Sequence, residues 1–193
     1  MAWMGLGPRS ADAGPVEDSG WTSLFNGRDL AGWVVEQGAV CLATNGNLRV
    51  VGGDGWLRST GQYTDFVFEA EWRALQPQYN SGFFIRAGTV GKPWPDGVWQ
   101  VDLASSSLGA LVKGSTTMVP AETPRMPLNK WVKFRIEVRG AKVSLDVDGE
   151  RAWEFDKLDA ARGYLGIQAE GKTFEFRNLR VMELPAGSGA PAK

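Results

Sequence analysis

In the run DFVFEAEWRA, Phe66, Phe68, Ala70 and Trp72 alternate with Val67, Glu69, Glu71 and Arg73. A period of two turns one face of a strand to a core and the other to water, so this stretch predicts a long, half-buried antiparallel strand. The period returns in shorter pieces, NLRVVGG, WLRST, SGFFIRA, GVWQVDL and LGALV, broken by glycine or by Asp and Asn. After the proline-rich VPAETPRMP come KWVKFRIEVRG, AKVSLDVDGE and RAWEFD, with tight turns at Gly140 and at Asp148-Gly149. The Asp-Gly pair is the strongest hairpin signal in the chain. GYLGIQAE and TFEFRNLRVMEL close the series, and in the latter the inward set shifts from Phe174 and Phe176 to Leu179 and Val181. That change of parity calls for a bulge near Arg177 and Asn178. Only DKLDAAR has room for a helical turn. Short strands at this spacing predict an all-β fold, a two-sheet antiparallel β-sandwich.

Length and composition set the frame around these strands. With 193 residues, 43% of them apolar, the chain suffices for one domain of about 150 residues with loose ends. We place the domain at residues 21–184, after a disordered or loosely docked segment 1–20 and before a tail or linker at 185–193. The end LPAGSGAPAK buries too little apolar surface to offset its chain entropy. The start MAWMGLGPRS is too short in apolar residues for a secretory core or a membrane span. Twenty-one basic and 22 acidic side chains give a net charge of −1 without blocks of either sign, which argues against nucleic-acid or anionic-membrane partners. Histidine is absent, which removes the commonest general base, the commonest zinc ligand and any serine–histidine triad. The lone Cys41, in the apolar AVCLA, forms no intrachain disulfide and reads as a small buried hydrophobe.

Two places remain where the pattern asks for chemistry. In GVWQVDLA, Trp99, Val101 and Leu103 point one way, while Gln100 and Asp102 share the other face with Val98 in line before them. Either that face is simply wet or it floors a site. Just upstream, KPWPDG brackets Trp94 with prolines. A stiffened aromatic suits stacking on a sugar ring; it suits anchoring a loop equally well. Trp56 carries the same ambiguity, whereas Trp72, Trp99 and Trp153 are in phase with core positions.

Taken in order, LFNGRDLAGW, GGDGWLRS, DFVFEAEWR, NSGFFIRA, PDGVWQVD, LGALV, KWVKFRIEVRG, VDGE, YLGIQAEG and FEFRNLRV resemble the DUF1080 family, the 3-keto-disaccharide hydrolase domain, from about Trp21 to Leu184. The resemblance implies a concanavalin A-like jelly roll on secreted or periplasmic proteins, with a concave sheet that faces carbohydrate. It also implies cleavage of glycosides already oxidised to a ketone at carbon three. Such a ketone acidifies the hydrogen at carbon two and permits elimination of the group at carbon one, given a base and something to polarise the ketone.

Matched residue by residue, the family pattern selects Glu71 and Asp102 as base or as ligands of a hard divalent cation such as calcium. Arg86 and Lys113 become the partners of the ketone or of substrate oxygens. Gln100 and Gln168 become partners of sugar hydroxyls, beside Trp94. Three positions depart from the pattern: Val98 stands where an acid is usual, Val112 where tyrosine is, and Glu170 where histidine is common, although Glu170 restores an acid at the rim. The expectation is that Glu71, Arg86, Gln100 and Asp102 converge in one groove. Two functions stay open, a glycoside hydrolase or lyase acting on 3-keto-glycosides, and a glycan-binding module or inactive subunit without turnover. Glu71, Arg73 and Arg86 have a third reading, as cross-strand ion pairs of a solvated face.

Overall fold

A computed structural model describes residues 20–121 and 126–185; the N-terminal segment and the tail expected above fall, but for their inner ends, outside the described residues. Fifteen strands follow in order: β1 (Thr22–Ser23), β2 (Trp33–Gln37), β3 (Val40–Thr44), β4 (Asn47–Gly52), β5 (Asp54–Tyr63), β6 (Phe66–Ala74), β7 (Gly82–Ala87), β8 (Trp99–Asp102), β9 (Leu111–Lys113), β10 (Thr116–Val119), β11 (Val132–Arg139), β12 (Lys142–Val147), β13 (Glu150–Phe155), β14 (Gly163–Glu170) and β15 (Phe174–Glu183). They form two antiparallel sheets. One runs β13-β12-β11-β6-β15-β4-β3 with β1 also on β15; the other runs β10-β9-β8-β7-β14-β5-β2. No helix among the described residues is long and apolar enough to cross a membrane.

The alternating apolar sets meet between the sheets. Phe83 of β7 is the clearest joint, edge-on to Phe68 of β6 at 5.2 Å and to Phe176 of β15 at 5.7 Å between ring centres. Such pairs add about 0.5–1.5 kcal/mol beyond the area they bury. Trp72, Trp99 and Trp153 belong to this core. The Asp-Gly turn between β12 and β13 has both residues at positive φ, 50° and 92°, the geometry that matches the twist of paired strands. The register of β15 against β6 shifts between Arg177 and Arg180, with Asn178 at φ 52°, which is the bulge that the change of parity called for.

Two local expectations change. DKLDAAR forms no helical turn; it runs without regular structure so that Leu158 enters the core, its N–H bonded to Ala141 O at 2.9 Å. Cys41 is only half-buried, on the edge strand β3, and burial pushes its thiol pKa up to about 12. A second apolar cluster lies away from the main core. Trp56, Phe84, Ala87 and Val98, with Trp94 and Tyr164, pack together on the outer face of the seven-stranded sheet. Trp56 and Phe84 meet edge-on at 5.6 Å over Gly166, where a Cβ would come within 2.6 Å of the indole and 2.9 Å of the phenyl ring.

Candidate functional site

The outer face of the seven-stranded sheet gathers five of the expected residues, Trp94 and four polar side chains. In β8, Trp99 and Val101 face the core, which sends Gln100 and Asp102 outward. In β14, Leu165, Ile167 and Ala169 face the core, which sends Gln168 and Glu170 to the same side. Between them runs β7, whose Gly82 pairs with Asp102. The side chain of Gln100 crosses Gly82 and donates from Nε2 to Gln168 Oε1 at 2.8 Å. Gln168 Nε2 in turn donates to Glu170 Oε2 at 2.9 Å. Gln100 Nε2 also lies 3.4 Å from Asp102 Oδ1 and 3.4 Å from the Ser81 carbonyl. Ser107 Oγ and the Ala104 N–H donate to the Asp102 carboxyl.

This row is buried for a polar surface, with Asp102 8% and Gln168 5% exposed. Burial pushes the Asp102 carboxyl above its ordinary range, against the hydrogen bonds from Ser107 and from the backbone of Ala104 and Leu103. Burial also raises Glu170, and the nearby charges of Asp102 and Asp54 push the same way. Two carboxyls raised by burial in one patch are what an acid–base or binding site requires of its carboxylates. Trp94 borders the row, its indole N–H bonded to Gly55 O at 2.9 Å and Ala169 O at 3.2 Å. Its polar edge therefore anchors the loop across β5 and β14. The three departures from the family pattern lie on this face too: Val98 packs in the second apolar cluster, Val112 pairs with Gln100, and Glu170 ends the row.

Glu71, Arg86 and Lys113 are elsewhere, so the expected single groove does not form. Glu71 is on β6, in the eight-stranded sheet. Its side chain does point away from the core, but to the opposite outer face, where Arg177 Nε and Asn178 Nδ2 bond it at 2.8 and 2.6 Å. Burial works upward on Glu71, yet these partners outweigh it and hold the carboxyl below its ordinary value. That face is a lattice of ion pairs: Glu175 takes Arg49 and Arg73, and Glu69 takes Lys133 and Arg180. Glu71→Gln should leave any sugar binding or turnover unchanged and cost no more than about 1 kcal/mol in urea unfolding; a large loss of function would restore Glu71 to the site.

Arg86 breaks the alternation of β7 with φ 47°, a conformation uncommon outside glycine. The side chain turns to the end of the sandwich, donating to the carbonyls of Thr64, Gly140 and Ala160 at 2.6, 2.7 and 2.6 Å and to Asp65 Oδ1 at 3.0 Å. Lys113 pairs in register with Trp99, so it shares the inward parity; it caps the Trp99 ring and bonds Asp159 at the rim.

Neither cation reaches the row. A cation that the sequence reading missed, Arg58, does stand on this face, bonded to Glu36 at 2.7 Å and stacked on Tyr164. Ser107 was missed as well, because a loop residue in DLASSSL carries no periodic cue. Among the described residues no three Asp, Glu or Cys side chains form a group able to hold a metal ion. A cleft of about 540 Å³ opens on the far sheet over Ser144, walled by Glu137, Arg139, Arg151 and Glu154, and contains none of the expected residues.

The sequence model of the 3-keto-alpha-glucoside-1,2-lyase-like domain matches residues 20–182. No curated protein is detectably similar in sequence. Among solved structures, a candidate glycosyl hydrolase from Parabacteroides distasonis superposes with a TM-score of 0.71 at 20% identity, over 86% of this chain and 94% of that one. The carbohydrate-binding module CBM66 from Bacillus subtilis gives 0.68 at 16% identity, over 84% and 100%. The exoplasmic/lumenal domain of VIP36, in its Ca²⁺- and mannose-bound form, gives 0.63 at 8% identity, over 92% and 94%. At these identities the likeness is one of fold.

Proposed function

Because the chain belongs to the 3-keto-alpha-glucoside-1,2-lyase-like family, we propose that the row on the seven-stranded sheet holds a 3-keto-glycoside and that Asp102 is the base that opens it. The observation that carries this reading is the row itself: Asp102 and Glu170, both raised by burial, joined by the amides of Gln100 and Gln168. Asp102 takes the hydrogen from carbon two. The bond from carbon one to the leaving oxygen breaks as a double bond forms between carbons one and two. The proton that Asp102 takes from carbon two is returned to the leaving oxygen, so the step balances with one carboxylate. Water added later across that double bond would complete a net hydrolysis. No activated nucleophile is required, which suits a chain without histidine.

A second reading, binding without turnover, draws on the engagement of Arg86 and Lys113 outside the row, which leaves the ketone without the polarising partners that the sequence suggested. Incubation with a 3-keto-disaccharide separates the two. Release of the aglycone together with an unsaturated keto sugar, followed by NMR, supports elimination; saturable binding with intact substrate replaces it by the binding module. We run the assay with and without chelator, since loss of turnover with chelator would assign the polarising role to a cation.

A further inference from the structure

The amides of the row can be oriented by chemistry alone. Gln100 places one end of its amide near the Ser81 carbonyl and Asp102 Oδ1, and both of these only accept. That end must be the NH₂ group. Gln168 therefore has to offer its oxygen to Gln100, and its own NH₂ then faces Glu170, again an acceptor. The other nearby donors are used in the same inward way: Ser107 Oγ on Asp102, Ser81 Oγ on the Gln168 carbonyl, and the Trp94 indole on Gly55 and Ala169. Arg58, on the strand beyond β14, spends Nε on Glu36 and Nη1 on the Ser59 carbonyl. Among the described residues no donor reaches Gln100 Oε1.

This arrangement depends on one missing methyl group. A Cβ on Gly82 would lie 2.1 Å from Gln100 Nε2 and 2.6 Å from its Cδ and Cγ, so the glutamine lies flat across β7 only because residue 82 is glycine. We propose that Gly82 is a specificity-determining position. By seating Gln100 it sets a chain of amides that spends the Gln100 NH₂ group and one N–H of Gln168 within the protein, and the row then meets a ligand mainly with acceptor oxygens, those of Gln100, Asp102 and Glu170. Such a row favours sugars that present hydroxyl or ammonium groups over anionic sugars, because a carboxylate would meet acceptor oxygens and two carboxyl groups, while Arg58 on this face is already paired with Glu36.

The selectivity rests on the carbohydrate reading above, and the test keeps the two apart. Calorimetric titration of the unmodified protein at pH 7 with a neutral 3-keto-glucoside, a glucuronide and a glucosaminide of the same aglycone should show the neutral and amino sugars binding and the glucuronide at least about tenfold weaker. Gly82→Ala should weaken the neutral sugar by about tenfold or more, whereas Gly82→Ala added to Gln100→Ala should change nothing further. Equal binding of the glucuronide overturns the inference and leaves the carbohydrate reading intact. So does an undiminished effect of Gly82→Ala when the Gln100 side chain is already gone. Binding of none of the three sugars overturns the carbohydrate reading itself. Should Gly82→Ala fail to fold, the three-sugar titration of the unmodified protein decides alone.

Discussion

Replacing Arg86 with methionine lowers the unfolding free energy by about 3–5 kcal/mol, a large part of the total stability of a small domain. The guanidinium is 1% exposed and binds three backbone carbonyls as well as Asp65. Burial pulls its pKa down and the Asp65 charge works against that. Methionine fills similar volume yet leaves three carbonyls and a carboxylate to be satisfied away from water, although Asp65 keeps the Gly140 N–H at 2.8 Å. Each buried polar group without a partner costs about 1–3 kcal/mol. Lysine, with a single ammonium in place of a planar fork, should recover only part of the loss. Urea unfolding decides: a loss under about 1 kcal/mol for Arg86→Met would show that the loops reclose around water.

Asp102→Asn should move activity and stability in opposite directions. As the base for proton removal, Asp102 must be ionised, so turnover rises with pH through its raised pKa, and asparagine should cost about a hundred- to ten-thousand-fold in rate. Stability answers to the same shift with the other sign. A carboxyl whose pKa is higher in the folded than in the unfolded chain favours folding most when protonated, below the ordinary aspartate range, and that contribution is lost as pH rises through the raised value. Asparagine is neutral throughout; its oxygen keeps the Ala104 N–H, and its NH₂ meets Ser107 Oγ, a hydroxyl that can turn to accept. The variant should therefore be at least as stable as the parent at pH 7. Full turnover in a folded Asp102→Asn protein would remove Asp102 from the chemistry, and a marked loss of stability would show that its charge is held by more than the contacts described.

Much of this could be read from alternation. The pairing of Gln100 with Asp102 on one face, the Asp148-Gly149 turn and the slip of parity at Arg177 and Asn178 all follow from the period of two, because a strand with one wet face writes its register into the sequence. Glu71 shows where alternation stops. Its parity is correct, and it does leave the core, but a sandwich has two outer faces and nothing local says which one a strand belongs to. That depends on β6 pairing with β11 and β15 rather than with β7. Arg86 fails for a different reason. Phe84 points outward, so residue 86 should too, until a left-handed φ re-aims it. Lys113 shares the parity of Leu111, which alone was enough to place it on the inner side. The doublet Phe83-Phe84 was undecidable, since each ring is buried, one in each apolar cluster.

The Arg86 knot also governs how long the folded state lasts. Its bonds span 21 to 74 positions of sequence, joining β7 to the turn before β6, the β11–β12 hairpin and the loop before β14. None of these can close until the strands on either side have already found their places, because each loop must surrender its freedom before the contact rewards it. Interactions that arrive after the folding barrier leave the rate of folding nearly untouched and act instead on the rate of escape. The alternating strands assemble the sandwich, and Arg86→Met is therefore expected to speed unfolding far more than it slows folding in stopped-flow kinetics.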